Sequence, residues 1–356
     1  MLNLSDFEAA ARERLPAATW GYYAGGANDE VTLRGNRTAF EQIALRYRTM
    51  VDVSTRSCAT TVLGTPVAMP VLIAPTAMQR LAHEDGECAT ARAAEAAGTI
   101  MIVSTTATTG LRDVRASAGG PMWFQLYIYR DRDITRAHIE AARDAGYQAI
   151  VLTVDAPVLG RRERDIRLGF TLPPHLRIAN AEPARMGQVP AASGSASGLM
   201  LHFRDLHDPS LTPKDIEWVR TESGLPVIVK GVVRGDDAVR ALDHGAAGVI
   251  VSNHGGRQLD TAIPAIRALP GVVDAVDGRV EVYVDGGIRR GTDVLKALAL
   301  GARAVMVGRP VIWGLAVDGE NGVKMVLRLL RDELDLAMAL SGAATIESIT
   351  RDLVDT

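Results

Sequence analysis

Eight short runs of apolar and β-branched residues recur along this chain, and each is followed by a stretch with helical period. They are VLIAPT (Val71–Thr76), IMIVST (Ile100–Thr105), MWFQLY (Met122–Tyr127), AIVLTVD (Ala149–Asp155), PVIVKGV (Pro226–Val232), GVIVSNH (Gly248–His254), EVYVDGG (Glu281–Gly287) and AVMVGRP (Ala304–Pro310). Their hydrophobicity is continuous rather than alternating, as parallel strands covered on both faces require. Parallel neighbours need crossover segments, and the intervals here have helix lengths and helix stop signals. Eight strand–helix units predict an α/β fold, a closed (β/α)8 or TIM barrel. A doubly wound open sheet is the competing architecture, but no GxGxxG follows the first run.

The 356 residues admit two average domains or one barrel of about 250 residues with extensions. The expected plan is a single unit, with an N-terminal helical extension over 1–70, a barrel core over 71–310 and C-terminal helices over 311–356. Ser5 with Glu8 has the spacing of a helix capping box. LTPKDIEWVRTESG has Thr212 as cap, Pro213 in the first turn and Gly224 past the end, and TDVLKALALG closes on Gly301. GVKMVLRLLRDELDLAMALSG has the period of a long amphipathic helix. One interval breaks the rhythm. About seventy residues separate the fourth and fifth runs, and they include PARMGQVPAASGSASGLM. That composition predicts a mobile loop over about 172–210, and a lid and a surface insertion fit it equally.

The totals narrow the partners. With 47% hydrophobic and 23% charged residues the chain has ample material for a large core. A net charge of −3 without long like-sign runs leaves no nucleic-acid stripe and no basic membrane patch, so a small molecule is the expected partner. Cys58 and Cys88 lack metal-type spacing, which argues against a disulfide framework and a thiolate zinc site, and no metal is expected. The start has no basic region with a long apolar core, no apolar stretch approaches a membrane span of about 18 residues, and RDLVDT carries no peroxisomal tripeptide. A cytoplasmic location is the expectation.

In barrels of this kind chemistry sits at the C-terminal face, where every strand delivers its last residues into one bowl. In order the runs deliver Thr76, Ser104, Gln125 with Tyr127, Thr153 with Asp155, Lys230, Ser252 with His254, Asp285 with Gly286 and Gly287, and Gly308 with Arg309. DGGIRRG and GRP follow the seventh and eighth strands, where phosphate sites are common. Glycine lets backbone N–H groups approach an anion, and Arg289 and Arg309 add guanidinium forks. A phosphate-bearing ligand is expected there.

LTVDAPVLGRRERD, VKGV, SNHGGRQLD, DGGIRRGTDVLKALALGA and VGRPV together resemble the FMN-dependent α-hydroxy acid oxidases and dehydrogenases, most of all the glycolate oxidase branch. The resemblance runs from LPAATWGYYAGGAND to MALSG, nearly the whole chain. It implies a barrel holding one FMN, in a homotetramer. It implies that Tyr22, Arg162 and Arg257 face the substrate carboxylate, that Tyr127 hydrogen-bonds the substrate hydroxyl, and that His254 is the active-site base with Asp155 its partner. On the flavin side it implies Lys230 at the pyrimidine edge and Gln125, Thr153, Ser104 and Ser252 on the ring or ribityl. The backbone of Thr76 and Ala77 would pass beside the ring, with Asp285, Gly287, Arg289, Gly308 and Arg309 at the ribityl and phosphate end.

These residue types suit that chemistry. An α-hydroxy acid needs an anion clamp, a base and an electron acceptor. Arginine matches a carboxylate bidentately and keeps its charge, while histidine accepts a proton near neutral pH and a carboxylate can stabilise the imidazolium formed. No side chain takes a hydride, so the acceptor must be bound. Gly255 and Gly256 let the chain turn tightly after His254, which brings base and Arg257 over one face of a flat cofactor. The other histidines (His83, His138, His175, His202, His207, His244) are read as structural. Whether His254 takes the hydroxyl proton or the α-proton is left open, since both routes use the same groups. Glycolate oxidases typically have tryptophan where Thr106 stands, so the smaller residue predicts tolerance of larger 2-hydroxy acids, lactate through mandelate-like. Leu159 and Tyr129 are further candidates for that pocket, with ordinary packing an equal alternative. The lack of a haem domain and of an apolar membrane segment in the long loop favours an oxidase that reduces O2 to H2O2. A dehydrogenase serving a quinone or carrier protein, and a catalytically silent flavin-binding scaffold, are the alternatives.

Overall fold

In the computed structural model, which describes residues 1–180, 187–190 and 197–355, each of the eight runs is a strand. They are β1 (Val71–Ile73), β2 (Met101–Ser104), β3 (Met122–Leu126), β4 (Ile150–Thr153), β5 (Val227–Val232), β6 (Gly248–Val251), β7 (Glu281–Asp285) and β8 (Ala304–Val307). Their hydrogen bonding closes a barrel in sequence order, with β8 paired to β1 through Val305 and Val71. All neighbours are parallel. Leu72, Ile102, Trp123, Val151, Ile228, Ile250, Tyr283 and Met306 form one buried cluster, the barrel interior. Strand side chains alternate with period two, so the residue two positions later points the same way one layer higher. Ile102 therefore leads to Ser104, Trp123 to Gln125, Val151 to Thr153, Ile228 to Lys230, Ile250 to Ser252 and Tyr283 to Asp285. An apolar plug below and a polar floor above follow from one pleat.

The helices are α1 (Leu4–Arg14), α2 (Ala17–Ala24), α3 (Val31–Glu41), α4 (Gly86–Ala96), α5 (Leu111–Ala116), α6 (Arg132–Asp144), α7 (Glu163–Arg167), α8 (Gly198–Leu206), α9 (Lys214–Ser223), α10 (Gly235–Asp243), α11 (Ala265–Val276), α12 (Gly291–Ala299) and α13 (Arg309–Ser341). Residues on the other strand face, such as Ile73, Val103, Phe124, Leu152 and Val229, join the larger core beneath these helices. α13 breaks at Asp318 and Gly319 and folds back, so that a Cβ on Gly322 would lie 1.9 Å from the Gly314 carbonyl oxygen. It stops at Gly342, which holds the left-handed φ of +74° that glycine adopts without strain.

Two caps differ from expectation. The capping box of α1 is Asn3 with Asp6, not Ser5 with Glu8, because the Asn3 side chain already accepts from the Ser5 and Asp6 N–H groups. Thr212 does not cap α9; it donates from N and Oγ1 to Asp215 Oδ2, so the carboxylate is the acceptor. Gly224 ends α9 at φ +63°, as expected. Within the stretch 172–210 the structure has α8 docked on the barrel, and the central part of that loop expectation, residues 181–186 and 191–196, lies outside the described residues. Among the described residues no helix is long and apolar enough to cross a membrane.

Candidate active site

A cavity opens at the C-terminal end of the barrel, lined from all eight strand ends and from α2, the loop before α7, α8 and the start of α13. Of the residues singled out in the sequence, Tyr22, Thr76, Ala77, Ser104, Thr106, Gln125, Tyr127, Thr153, Leu159, Arg162, Lys230, His254, Arg257, Asp285, Gly287, Arg289, Gly308 and Arg309 line it. Asp155 and Ser252 sit one layer behind and reach it through His254 and Lys230. Tyr129 is not on the wall. It is buried, with its ring 5.1 Å from and nearly parallel to that of His207.

The loop after β6 is sharply wound, with φ of +58° at His254, +63° at Gly255 and +75° at Gly256. A histidine in that region carries strain of order 1–3 kcal/mol and is held there by its neighbours. Its N–H donates to Ser252 Oγ at 3.0 Å, and Gly256 N–H donates to Asn253. At Gly256 a Cβ would come within 2.6 Å of the Leu33 nitrogen, so only glycine lets α3 close over the loop. Asn253 is locked by a reciprocal amide pair with Asn36, at 2.8 Å in both directions.

His254 Nδ1 lies 2.8 Å from Asp155 Oδ1. A carboxylate only accepts, so Nδ1 carries the proton and Nε2 presents its lone pair to the cavity. Tyr127 Oη lies 3.5 Å from that Nε2. Burial pushes the imidazole below its usual pKa against the opposing pull of Asp155, which leaves a neutral ring able to take a proton. Burial by itself would raise the Asp155 carboxyl, but its electrostatic pairing and hydrogen bond with His254 and the charge of Lys230 outweigh it and hold Asp155 low. Gly231 makes the pair possible: it bulges β5 between Lys230 and Val232 at φ +109°, and a Cβ there would sit 2.5 Å from the Asp155 Cβ.

Lys230, 4% exposed, donates to Ser252 Oγ at 3.0 Å and lies 3.3 Å from Asp285 Oδ2. Burial opposes its charge, but Asp285 and Asp155 more than compensate, so its pKa is raised. Next to it Gln125 Nε2 donates to Thr153 Oγ1 at 3.1 Å and its Oε1 accepts from Ser104 Oγ at 3.2 Å. Asp285 Oδ1 is buried and has no hydrogen-bond partner.

Four guanidinium groups share this cavity, Arg162 and Arg257 near His254 and Arg289 and Arg309 near the glycines of the last two loops. Among the described residues none of the four lies within ion-pair distance of a carboxylate. Arg162, 5% exposed, is lowered to about 10 by burial and by the charge of Arg257. Burial likewise brings Arg289, stacked 4.6 Å from the Trp313 ring centre, to about 10. Arg309 is lowered further by burial and by Arg257 and Arg289. Unneutralised buried cations are costly, and the arrangement calls for two anions, one at each end.

Arg257 Nη1 donates to the carbonyls of Tyr22 and Gly25, and its guanidinium lies 4.9 Å from the Tyr22 ring centre. Arg309 donates to the carbonyls of Tyr23, Gly25 and Gly255. Both therefore cap the C-terminal end of α2, where the helix dipole favours cations. Tyr22 is stacked on Phe170 with ring centres 4.4 Å apart. Lining residues not anticipated from the sequence include Tyr23, Met78, Leu199, Phe203, Ile288 and Ile312. Of these, Phe203 had a signal: GLMLHFRDL has helical period within the long interval, and it lays Phe203 edge-on to Tyr127 at 5.3 Å. Among the described residues no cluster of His, Cys, Asp and Glu is arranged to hold a metal ion.

A ribityl phosphate fits this bowl. Asp285 Oδ1 is an acceptor awaiting a hydroxyl, and Gly286, Gly287 and Gly308 leave the backbone bare beside Arg289. Comparison with known proteins agrees. The profile of the FMN-dependent dehydrogenase family matches residues 11–356. L-lactate oxidase of Nostoc sp. is 52% identical over 353 residues, spanning 98% of this chain and 96% of that protein. Glycolate oxidase of Spinacia oleracea is 50% identical over 349 residues, spanning 98% and 94%. A crystal structure of mandelate oxidase with (S)-4-hydroxymandelic acid superposes with a TM-score of 0.95 at 43% identity, covering 100% of this chain and 98% of that one.

Proposed function

The chain belongs to the FMN-dependent dehydrogenase family and uses FMN, and from that premise we propose that it oxidises an L-2-hydroxy acid to the 2-oxo acid, with O2 as final acceptor and H2O2 as second product. The observation that carries the reading is the set of four guanidiniums, Arg162 buried and Arg257, Arg289 and Arg309 partly buried, with no carboxylate within ion-pair distance among the described residues, split between a glycine-rich end and a histidine end. One pair suits a phosphate and the other a substrate carboxylate.

Bound FMN supplies the two-electron acceptor that side chains lack. In this reading Arg289, Arg309, Gly287, Gly308 and Asp285 hold its phosphate and ribityl. Lys230, Gln125, Thr153, Ser104 and Ser252, with the backbone of Thr76 and Ala77, hold its ring. Arg162, Arg257 and Tyr22 bind the substrate carboxylate, and this fixes the α-carbon. Tyr127 Oη hydrogen-bonds the substrate hydroxyl. His254 Nε2 accepts the proton that leaves the substrate, and Asp155, through Nδ1, stabilises the imidazolium and keeps the ring aimed. Thr106 and Leu159 border the substrate side chain, and the small threonine suits acids from lactate to mandelate-like. The finer expectations belong to the same proposal: one folded unit with extension, barrel and C-terminal helices, a homotetramer, a cytoplasmic location, and no nucleic-acid or membrane partner.

The test is anaerobic mixing of the yellow holoprotein with L-lactate, L-mandelate and glycolate. Bleaching of the flavin, followed on readmission of air by recovery of colour and one peroxide per turnover, is expected. Bleaching without reoxidation by air would replace oxygen with another acceptor, and no bleaching with any 2-hydroxy acid would remove the activity.

A further inference from the structure

One buried carboxylate takes no part in the chemistry above. Glu87, second residue of α4, is 0% exposed. Its Oε1 accepts from Gln79 N at 2.9 Å, Thr108 N at 2.8 Å and Thr108 Oγ1 at 3.0 Å, and its Oε2 accepts from Thr109 Oγ1 at 2.9 Å. Gln79 belongs to the loop after β1 and the two threonines to the loop after β2. Both loops wall the cavity, the first through Thr76, Ala77 and Met78 and the second through Thr106.

Every neighbour of this carboxylate is a donor, and among the described residues no lysine, arginine or histidine pairs with it. N–H groups just beyond a strand end have lost their ladder partners, and buried ones must find an acceptor. A carboxylate is the side chain that only accepts and offers about four lone-pair sites, so one residue can serve two loops at once. The loops are also tied directly. Met78 N donates to the Thr106 carbonyl at 3.1 Å, and Arg80 N donates to Thr108 Oγ1 at 3.0 Å. Gly86, at φ +41°, lets α4 start hard against them, since a Cβ there would lie 2.5 Å from the Arg80 side chain.

We propose that Glu87 is a positioning residue: it staples the two loops in one register, fixes Thr106 relative to Thr76–Met78, and thereby sets how long a side chain on the 2-hydroxy acid the cavity accepts. This deepens the function proposed above and rests on it. Size discrimination is sensitive to small displacements, because one methylene against a fixed wall changes selectivity by roughly 10–200-fold.

Thr108→Val removes a hydroxyl that meets both Glu87 oxygens and leaves the Thr108 N–H in place, and Glu87→Gln keeps the shape while offering a donor to the threonine hydroxyls. Glu87→Ala removes the staple outright, and if it does not fold the two milder variants decide. FMN affinity is read from flavin fluorescence, affinity for acetate and phenylacetate from flavin absorbance, and kcat and KM from glycolate and mandelate. FMN affinity and glycolate kcat within about threefold of the parent are expected, together with a shift of about tenfold or more toward the longer acid in the mandelate-to-glycolate KM ratio and in the phenylacetate-to-acetate affinity ratio. Ratios that stay put while only the melting temperature falls would overturn the proposal, as would loss of FMN with unchanged ratios. A parent protein that oxidises no hydroxy acid would refute the function instead, and the carboxylate affinity ratio would still judge the staple.

Discussion

At the scale of single residues the site turns on His254, whose ring nitrogens have separate duties. Nδ1 is committed to Asp155 at 2.8 Å, so Nε2 is the nitrogen left for the substrate proton. His254→Gln should keep FMN but slow flavin reduction by about 10²–10⁴-fold, read by anaerobic stopped flow, and a near-parental rate would take the base role from this residue. Because burial lowers the imidazole, the neutral form predominates at pH 7. The acid limb of kcat/KM should accordingly fall below the ordinary histidine value of about 6.5, and a limb above 7 would contradict the assignment. Asp155→Asn withdraws the group that favours the imidazolium. It should push that limb lower still while reducing the rate.

At the scale of elements, the bulge in β5 shows how one strand serves two neighbours. The pleat carries Lys230 inward beside Ser252, and the φ of +109° at Gly231 right after it clears space for Asp155 just beyond β4. Gly231→Ala should cost about 1–3 kcal/mol in denaturant unfolding, from backbone strain and overpacking, and should slow flavin reduction by moving Asp155 from His254. Unchanged reduction would show that the carboxylate can be displaced without consequence. The eight strands were legible because continuous hydrophobicity is a local signal, and Ser104, Gln125, Thr153, Lys230, Ser252 and Asp285 were legible because each follows its strand at period two, whereas Tyr22, Arg162 and Arg257 were reached only through the family resemblance. The bulge was not, since KGV looks like any strand with a glycine in it. Nor was Glu87, whose partners lie 8, 21 and 22 residues away and give a helix-start acid no local mark. The Asn36–Asn253 pair spans 217 residues and is equally invisible to spacing. At the first helix the box formed two residues upstream of the one expected, at Asn3 with Asp6.

At the scale of the whole molecule, α8 lays Phe203 and His207 across Tyr127, with the rings of Phe203 and His207 stacked at 3.9 Å. Burial, with a smaller contribution from His202, drives His207 down to about 3. The unfolded chain would bind a proton there near pH 6.5 while the folded chain would not until about 3, so stability is full above pH 6.5 and is lost as pH falls through that window. Urea unfolding across pH 4–7 should show this slope, reduced in His207→Gln but not abolished, because His202 and His254 are also held low. A slope identical to the parent's would mean that His207 is already solvated. Light scattering should give about four times the 38.0 kDa chain mass if the homotetramer holds, and a monomer mass would remove it. The shared use of the Gly25 carbonyl by Arg257 and Arg309 bears on protein engineering. Anyone grafting this chemistry onto another eight-stranded scaffold would have to carry residues 17–27 along with the loops, because the two guanidiniums would otherwise arrive without the peptide bracket that fixes them both.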